Sequence, residues 1–169
     1  MKRILGVLFM VAVAAVAAQA KVYSYKPANM SIDIPSGWTT EEVKGDEKYL
    51  EVKSPNSEVI IYLEYYDKGS FGEYTAEEEY EYLETRLGKI LGDKELDITD
   101  QFEETVNGMQ VYAISGSYDD ADYGKAYVYC GAFETGKQLS TLTVDVLESD
   151  MKKFKNQVNK IIDSAKKLK

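Results

Sequence analysis

Carboxylates and tyrosines are the side chains here that could do chemistry. Glu64 and Asp145 sit within strand-like stretches, where burial would shift a carboxyl pKa. Two such acids facing a common substrate are all that carboxylate-based hydrolysis requires. A second cluster, Asp119, Asp120 and Asp122 in the run Asp-Asp-Ala-Asp, offers oxygen ligands of the kind calcium takes. It lacks the EF-hand spacing, no glutamate closes a twelve-residue loop, and a solvated hairpin tip is the simpler account. The third group is aromatic. Of fourteen tyrosines, Tyr62, Tyr66, Tyr112, Tyr127 and Tyr129 fall at strand positions that could share one face. An apolar ring with a polar tip suits a recognition surface, and it also suits a sheet face half covered by a helix.

The chain contains no histidine and one cysteine. That removes the usual general base, the usual activator of Ser and Cys nucleophiles, and the common zinc donor sets. Phosphate-cradling glycine motifs are also missing. Cys130, in a strand pattern, is expected to be a small buried apolar residue. No intrachain disulfide can form, so the fold must rest on packing. These absences point away from an enzyme and from a bound cofactor.

The elements that would position these groups begin after an unusual start. Lys2 and Arg3 precede an apolar run from Ile4 to Ala18, and Ala18-Gln19-Ala20 fits the small-x-small pattern of signal cleavage. The run is short for a membrane span. Residues 1–20 are therefore expected to be a signal peptide, and 21–169 a single domain, periplasmic or secreted, with no stable membrane insertion after cleavage. The formal charge is −9; removing Lys2 and Arg3 with the signal leaves −11. So acidic a surface repels nucleic acid backbones and anionic headgroups. A composition of 44% hydrophobic and 29% charged residues is that of a globular chain.

Alternation predicts strands near Val22–Tyr25, Met30–Ile34, Tyr49–Val52 and Val59–Tyr66. Thr75 and Glu78 make a capping box. Tyr80, Leu83, Leu87, Ile90 and Leu91 then recur at helical spacing, with Gly92 as the stop. Asn107-Gly108 predicts a tight hairpin between Phe102–Val106 and Met109–Tyr118. Strands over Tyr123–Phe133 and Leu139–Leu147 follow, then a final helix capped at Ser149 or Asp150. Its apolar stripe runs Met151, Phe154, Val158, Ile161, Ile162, Ala165 and Leu168. Along Tyr123–Phe133 one face is small (Ala126, Val128, Cys130, Ala132) and would admit a helix closely. The other (Tyr127, Tyr129, Gly131, Phe133) would be covered by the second helix or stay partly open. Short turns between strands imply antiparallel pairing, so the class is α+β, an antiparallel sheet flanked by helices.

One stretch carries a resemblance. In Ile32-Asp33-Ile34-Pro35-Ser36-Gly37-Trp38, proline ends a strand, glycine permits the reversal, and the sole tryptophan is placed to seal the end of a core. This corner, with the element order after it, resembles the PsbP-like superfamily, which includes photosystem accessory proteins and small exported bacterial proteins. The resemblance implies an α/β/α sandwich and an accessory or binding role. It transfers no functional residue to this chain. The resulting expectation is an exported, non-enzymatic binding or accessory module of the cell envelope, whose partner is an unknown protein or small ligand. A carboxylate-based hydrolase and a calcium-dependent envelope protein are the alternatives.

Overall fold

The computed structural model describes residues 20–44, 48–67, 76–136 and 138–169, with backbone alone for 66, 67 and 138. The expected signal peptide, apart from Ala20, and Thr75 of the capping box lie outside the described residues.

Among the described residues, ten strands and two α-helices follow one another. The strands are β1 (Lys21–Tyr25), β2 (Met30–Ile34), β3 (Thr39–Val43), β4 (Tyr49–Lys53), β5 (Val59–Asp67), β6 (Asp97–Val106), β7 (Met109–Asp120), β8 (Gly124–Glu134), β9 (Gln138–Leu147) and β10 (Lys166–Lys167). The helices are α1 (Ala76–Leu91) and α2 (Glu148–Ser164). Seven strands form one sheet in the order β3-β4-β5-β9-β8-β7-β6, and β1-β2-β10 form a second, smaller one. Every pairing among the described residues is antiparallel. The expected α+β class with antiparallel strands and two helices is what the chain adopts.

Hairpin register assigns side chains to the two faces of the large sheet. Tyr62, Thr143, Cys130 and Ile114 stand opposite one another in successive strands, as do Ile61, Val144, Tyr129 and Ser115. Directly opposed residues share a face and adjacent ones do not. The first face packs under α1, where Leu83 and Leu87 meet Ile114, Val128, Cys130 and Ala132. The second packs under α2 and the small sheet, where Phe154, Val158 and Ile161 meet Ile32, Ile61, Leu63, Val144 and Val146.

The Pro-Ser-Gly-Trp corner staples the second core. Gly37 has φ +85°, a conformation that an L side chain rarely adopts. Trp38 is buried with its ring edge-on to Phe154 of α2, centroids 5.9 Å apart, and its indole N–H donates to Gln157 Oε1 at 2.6 Å. Burying a tryptophan with its N–H satisfied avoids the cost of an orphaned donor. At the other end of α2 the Asn107-Gly108 turn does a similar job. Both residues have positive φ, as the hairpin requires, and Asn107 Nδ2 donates to the carbonyls of Asp163 and Ala165.

Several local expectations need correction. α2 starts at Glu148, with Leu147 preceding it and no side-chain cap, so neither Ser149 nor Asp150 caps it. β9 runs directly into the helix, which leaves no loop in which a capping side chain could sit. The helix ends at Ser164; Lys166–Lys167 is extended and pairs with Met30 and Ser31. β3 was not anticipated at all. It is an edge strand with an exposed Thr-Thr-Glu-Glu-Val sequence and no apolar alternation to reveal it.

Candidate functional site

β8 places large and small side chains on opposite sides of the sheet, and the site follows from that. Ala126, Val128, Cys130 and Ala132 are buried against α1. Cys130 is a free thiol with Sγ 3.1 Å from Thr143 Oγ1, and burial pushes its pKa up to about 12. It is the inert core residue expected from its surroundings. On the other side, Tyr127 and Tyr129 form a half-buried floor under α2.

Gly131 falls on the same face by alternation, and the Tyr129 ring lies across it. A Cβ on Gly131 would stand 2.5 Å from the Tyr129 hydroxyl. That hydroxyl is buried without a hydrogen-bond partner among the described residues, and desolvation drives its pKa far above the usual phenol value. Phe102 of β6 leans on the same ring, centroids 6.4 Å apart.

Beyond Tyr129 the cleft is lined by Ser115 and Gly116 of β7 and Thr99 of β6. Thr99 is the extra residue of a β-bulge, where the register with β7 shifts between Ile98 and Asp100. Its hydroxyl donates to the Ser115 carbonyl at 3.2 Å. These short side chains do not reach α2. A cleft of about 800 Å³ therefore opens between the helix and this part of the sheet. From α2, Glu148, Lys152, Lys155, Asn159 and Ile162 line it at helical spacing, one stripe over from the buried Phe154, Val158 and Ile161. Val144, Val146 and Val158 make the interior largely apolar. A concave apolar site of this size with a few polar groups at its rim is what small-molecule or segment binding needs.

The five tyrosines do not share one face. Tyr62 lies opposite Thr143, and Tyr112 opposite Ala132, so both belong to the α1 side; the register position of Tyr66, opposite Leu139, belongs there too. Tyr127 and Tyr129 belong to the α2 side. A one-residue difference in register moves a side chain to the opposite face, and side-chain type does not set the register. Tyr62 packs edge-on against Tyr49, and Tyr112 against Tyr80. Tyr127 and Tyr129 line the cleft.

A second recess, of about 520 Å³, lies near the β7–β8 turn and is bordered by Tyr62, Tyr118, Asp120 and Asp145. Its acids are engaged. Tyr118 donates its hydroxyl to both oxygens of Asp145 at 2.9 Å. Burial raises the Asp145 pKa against that hydrogen bond. Lys94 bridges to Asp120 at 2.7 Å, and Asp120 also accepts the backbone amides of Asp122 and Tyr123, which holds its pKa below the ordinary carboxylate range. Asp119 and Asp122 are exposed. Among the described residues no group of three or more acidic or sulfur side chains is placed to hold a metal ion. Glu64 is held elsewhere, in a two-point ion pair with Arg86 of α1. The two strand acids thus have separate partners, Arg86 and Tyr118.

Comparison with known proteins places the chain among relatives. The family model described as PsbP matches residues 18–166. The solution structure of cyanobacterial PsbP (CyanoP) from Synechocystis sp. PCC 6803 superposes with a TM-score of 0.69 at 15% identity, covering 90% of this chain and 95% of that one. LpqN, involved in cell envelope biogenesis of Mycobacterium tuberculosis, gives 0.58 at 15% identity over 80% and 81% of the two chains. The Saccharomyces cerevisiae Ran-binding protein Mog1p gives 0.58 at 8% identity over 90% and 97%. At these identities the likeness is one of fold. No curated protein matches the chain in sequence.

Proposed function

The chain belongs to the PsbP family, and from that premise we propose that it is a non-enzymatic binding or accessory module of the cell envelope. Its binding site is the cleft between α2 and the Tyr127–Tyr129 floor. The carrying observation is that cleft: about 800 Å³, largely apolar inside, beside a helix stripe that no other element covers among the described residues. An apolar surface left open to water is unfavourable in isolation, and burying it against a ligand or partner recovers that free energy.

Export rests on the first twenty residues, with cleavage after Ala20 and a periplasmic or secreted mature domain from Lys21. Among the described residues no helix is long and apolar enough to cross a membrane. LpqN, a structural relative, works in envelope biogenesis, and Mog1p binds a protein. Both fit a scaffold that presents surfaces rather than reacting groups. The catalytic alternative is disfavoured because Glu64 and Asp145 are neutralised or capped by separate partners. The calcium alternative is disfavoured because Asp120 closes its own turn and pairs with Lys94.

An environment-sensitive apolar dye tests the site. The native protein should bind it at one site. Filling the cleft with Ser115→Trp, or from the helix side with Met151→Trp, should weaken binding at least tenfold while far-UV circular dichroism stays native. Undiminished dye binding by both folded variants would remove the cleft as the site.

A further inference from the structure

Charge is distributed unevenly along the cleft. Lys152 and Lys155 lie one turn apart on the cleft stripe of α2, both exposed. Among the described residues neither has a carboxylate partner. The neighbouring Lys153, by contrast, is spent on Glu58 at 2.8 Å, away from the cleft. Glu148, the acid of the lining, is occupied by the Tyr127 hydroxyl at 2.8 Å. In a chain of net charge −9, two free ammonium groups at the mouth of an apolar cleft reverse the local sign.

The shape is also informative. The lining follows α2 from Glu148 to Ile162. At 1.5 Å rise per residue that is a slot about 20 Å long. Its far part, the roughly 10 Å of helix from Lys155 to Ile162, is walled by Tyr129, Val158 and Ile162, with Asn159 as the polar side chain that α2 adds there. Few donors or acceptors converge there, so a sugar or nucleotide would lose more hydrogen bonds to water than it regained. A cationic ligand would meet the lysines.

We propose that the cleft takes a long-chain carboxylate as a monomer, its chain along Val144, Tyr129, Val158 and Ile162 and its head between Lys152 and Lys155. This rests on the cleft being the binding site. Chain burial supplies most of the affinity, about fourfold for each methylene removed from water. The head group supplies orientation and a smaller factor, since ion pairs at a solvated rim are weak. The acidic surface of the rest of the molecule opposes docking on an anionic bilayer.

Titration calorimetry with octanoate, dodecanoate and hexadecanoate, below their micelle concentrations, tests the chain; dodecanol against dodecanoate tests the head. Affinity should climb with chain length and level off once the slot is full. Dodecanoate should bind about tenfold tighter than dodecanol, and the double variant Lys152→Glu, Lys155→Glu should erase that difference without altering dodecanol binding. Equal binding of acid and alcohol, unmoved by the lysine variant, would overturn the head-group assignment and leave the cleft standing. No chain binding by a protein that still binds the apolar dye would overturn the ligand class alone. Loss of both would overturn the cleft as well. Binding to phosphatidylglycerol vesicles in place of the monomers would also overturn the proposal.

Discussion

β8 meets the two helices with very different surfaces. Toward α1 it shows Ala126, Val128, Cys130 and Ala132, and the helix settles close enough to bury Leu83 and Leu87 completely. Toward α2 it shows Tyr127 and Tyr129, flanked by the short Ser115, and a cleft remains. Both helices are amphipathic and both pack on one continuous sheet. The size of the side chains beneath them decides whether the interface closes. Small residues let helix and sheet backbones approach. Two large rings beside short neighbours leave a step that no helical side chain fills, because interiors pack at near-crystalline density only when shapes match.

The polar groups divide in the same way. On the α1 side the ion pair Glu64–Arg86 bridges sheet and helix. On the α2 side, Trp38 N–H to Gln157 and Asn107 to the end of α2 hold the helix at its flanks, and the space alongside stays open.

The largest expected effect separates the two interfaces directly. Leu87→Ala, on the closed side, should cost about 2–5 kcal/mol, the range for a fully buried leucine whose cavity cannot collapse. Ile162→Ala, beside the cleft, should cost less than about 1.5 kcal/mol, because solvent already reaches the site. Urea melts of the two variants measure this. Equal losses would mean that the α2 side is as tightly packed as the other.

An intermediate effect probes the floor. Gly131→Ala forces a methyl against the Tyr129 ring and should cost about 1–3 kcal/mol. Tyr129→Phe removes the buried, unpartnered hydroxyl and should by itself change stability by less than about 1 kcal/mol. Combined, the two should cost less than their sum, as contacting residues do. Strict additivity in a double-mutant cycle would show that the ring does not lie over Gly131.

The smallest effect concerns the second recess. Burial holds the Asp145 pKa above that of the unfolded chain. The folded state then keeps a proton that the unfolded state has released, so this residue's contribution to stability falls as pH rises from the ordinary carboxylate range through the raised folded value. Asp145→Asn keeps an acceptor for the Tyr118 hydroxyl and removes that titration. Stability measured across the acidic range should therefore decline less with rising pH in the variant than in the native protein. Parallel curves would show that Asp145 titrates like a solvated acid.

Much of the architecture could be read from residue order. The 3.6-residue spacing of Leu83, Leu87 and Leu91 marks α1, and Gly92, with φ +65°, ends it. The alternation on β8 and the paired positive-φ residues Asn107 and Gly108 mark the hairpins. The corner at Pro35–Trp38 pointed to the family, whose model spans residues 18–166. Of the small sheet, β1 and β2 were legible as strands, but their separation into a sheet of their own with β10 was not. β10 is two lysines long and is extended because β2 lies beside it. The cleft was half legible: the small and large faces of β8 were evident, but the grouping of its tyrosines with Tyr62 and Tyr112 was not correct.

Local sequence determined which segments are strands and helices, and which face of each is apolar, because propensity and side-chain period act over a few neighbouring residues. Tertiary structure decided which tyrosines keep company and where the cleft opens. Those depend on register between strands and on a helix meeting a sheet from far along the chain. Pairing partners are chosen by the total burial of the fold, and a shift of one residue there exchanges the two faces.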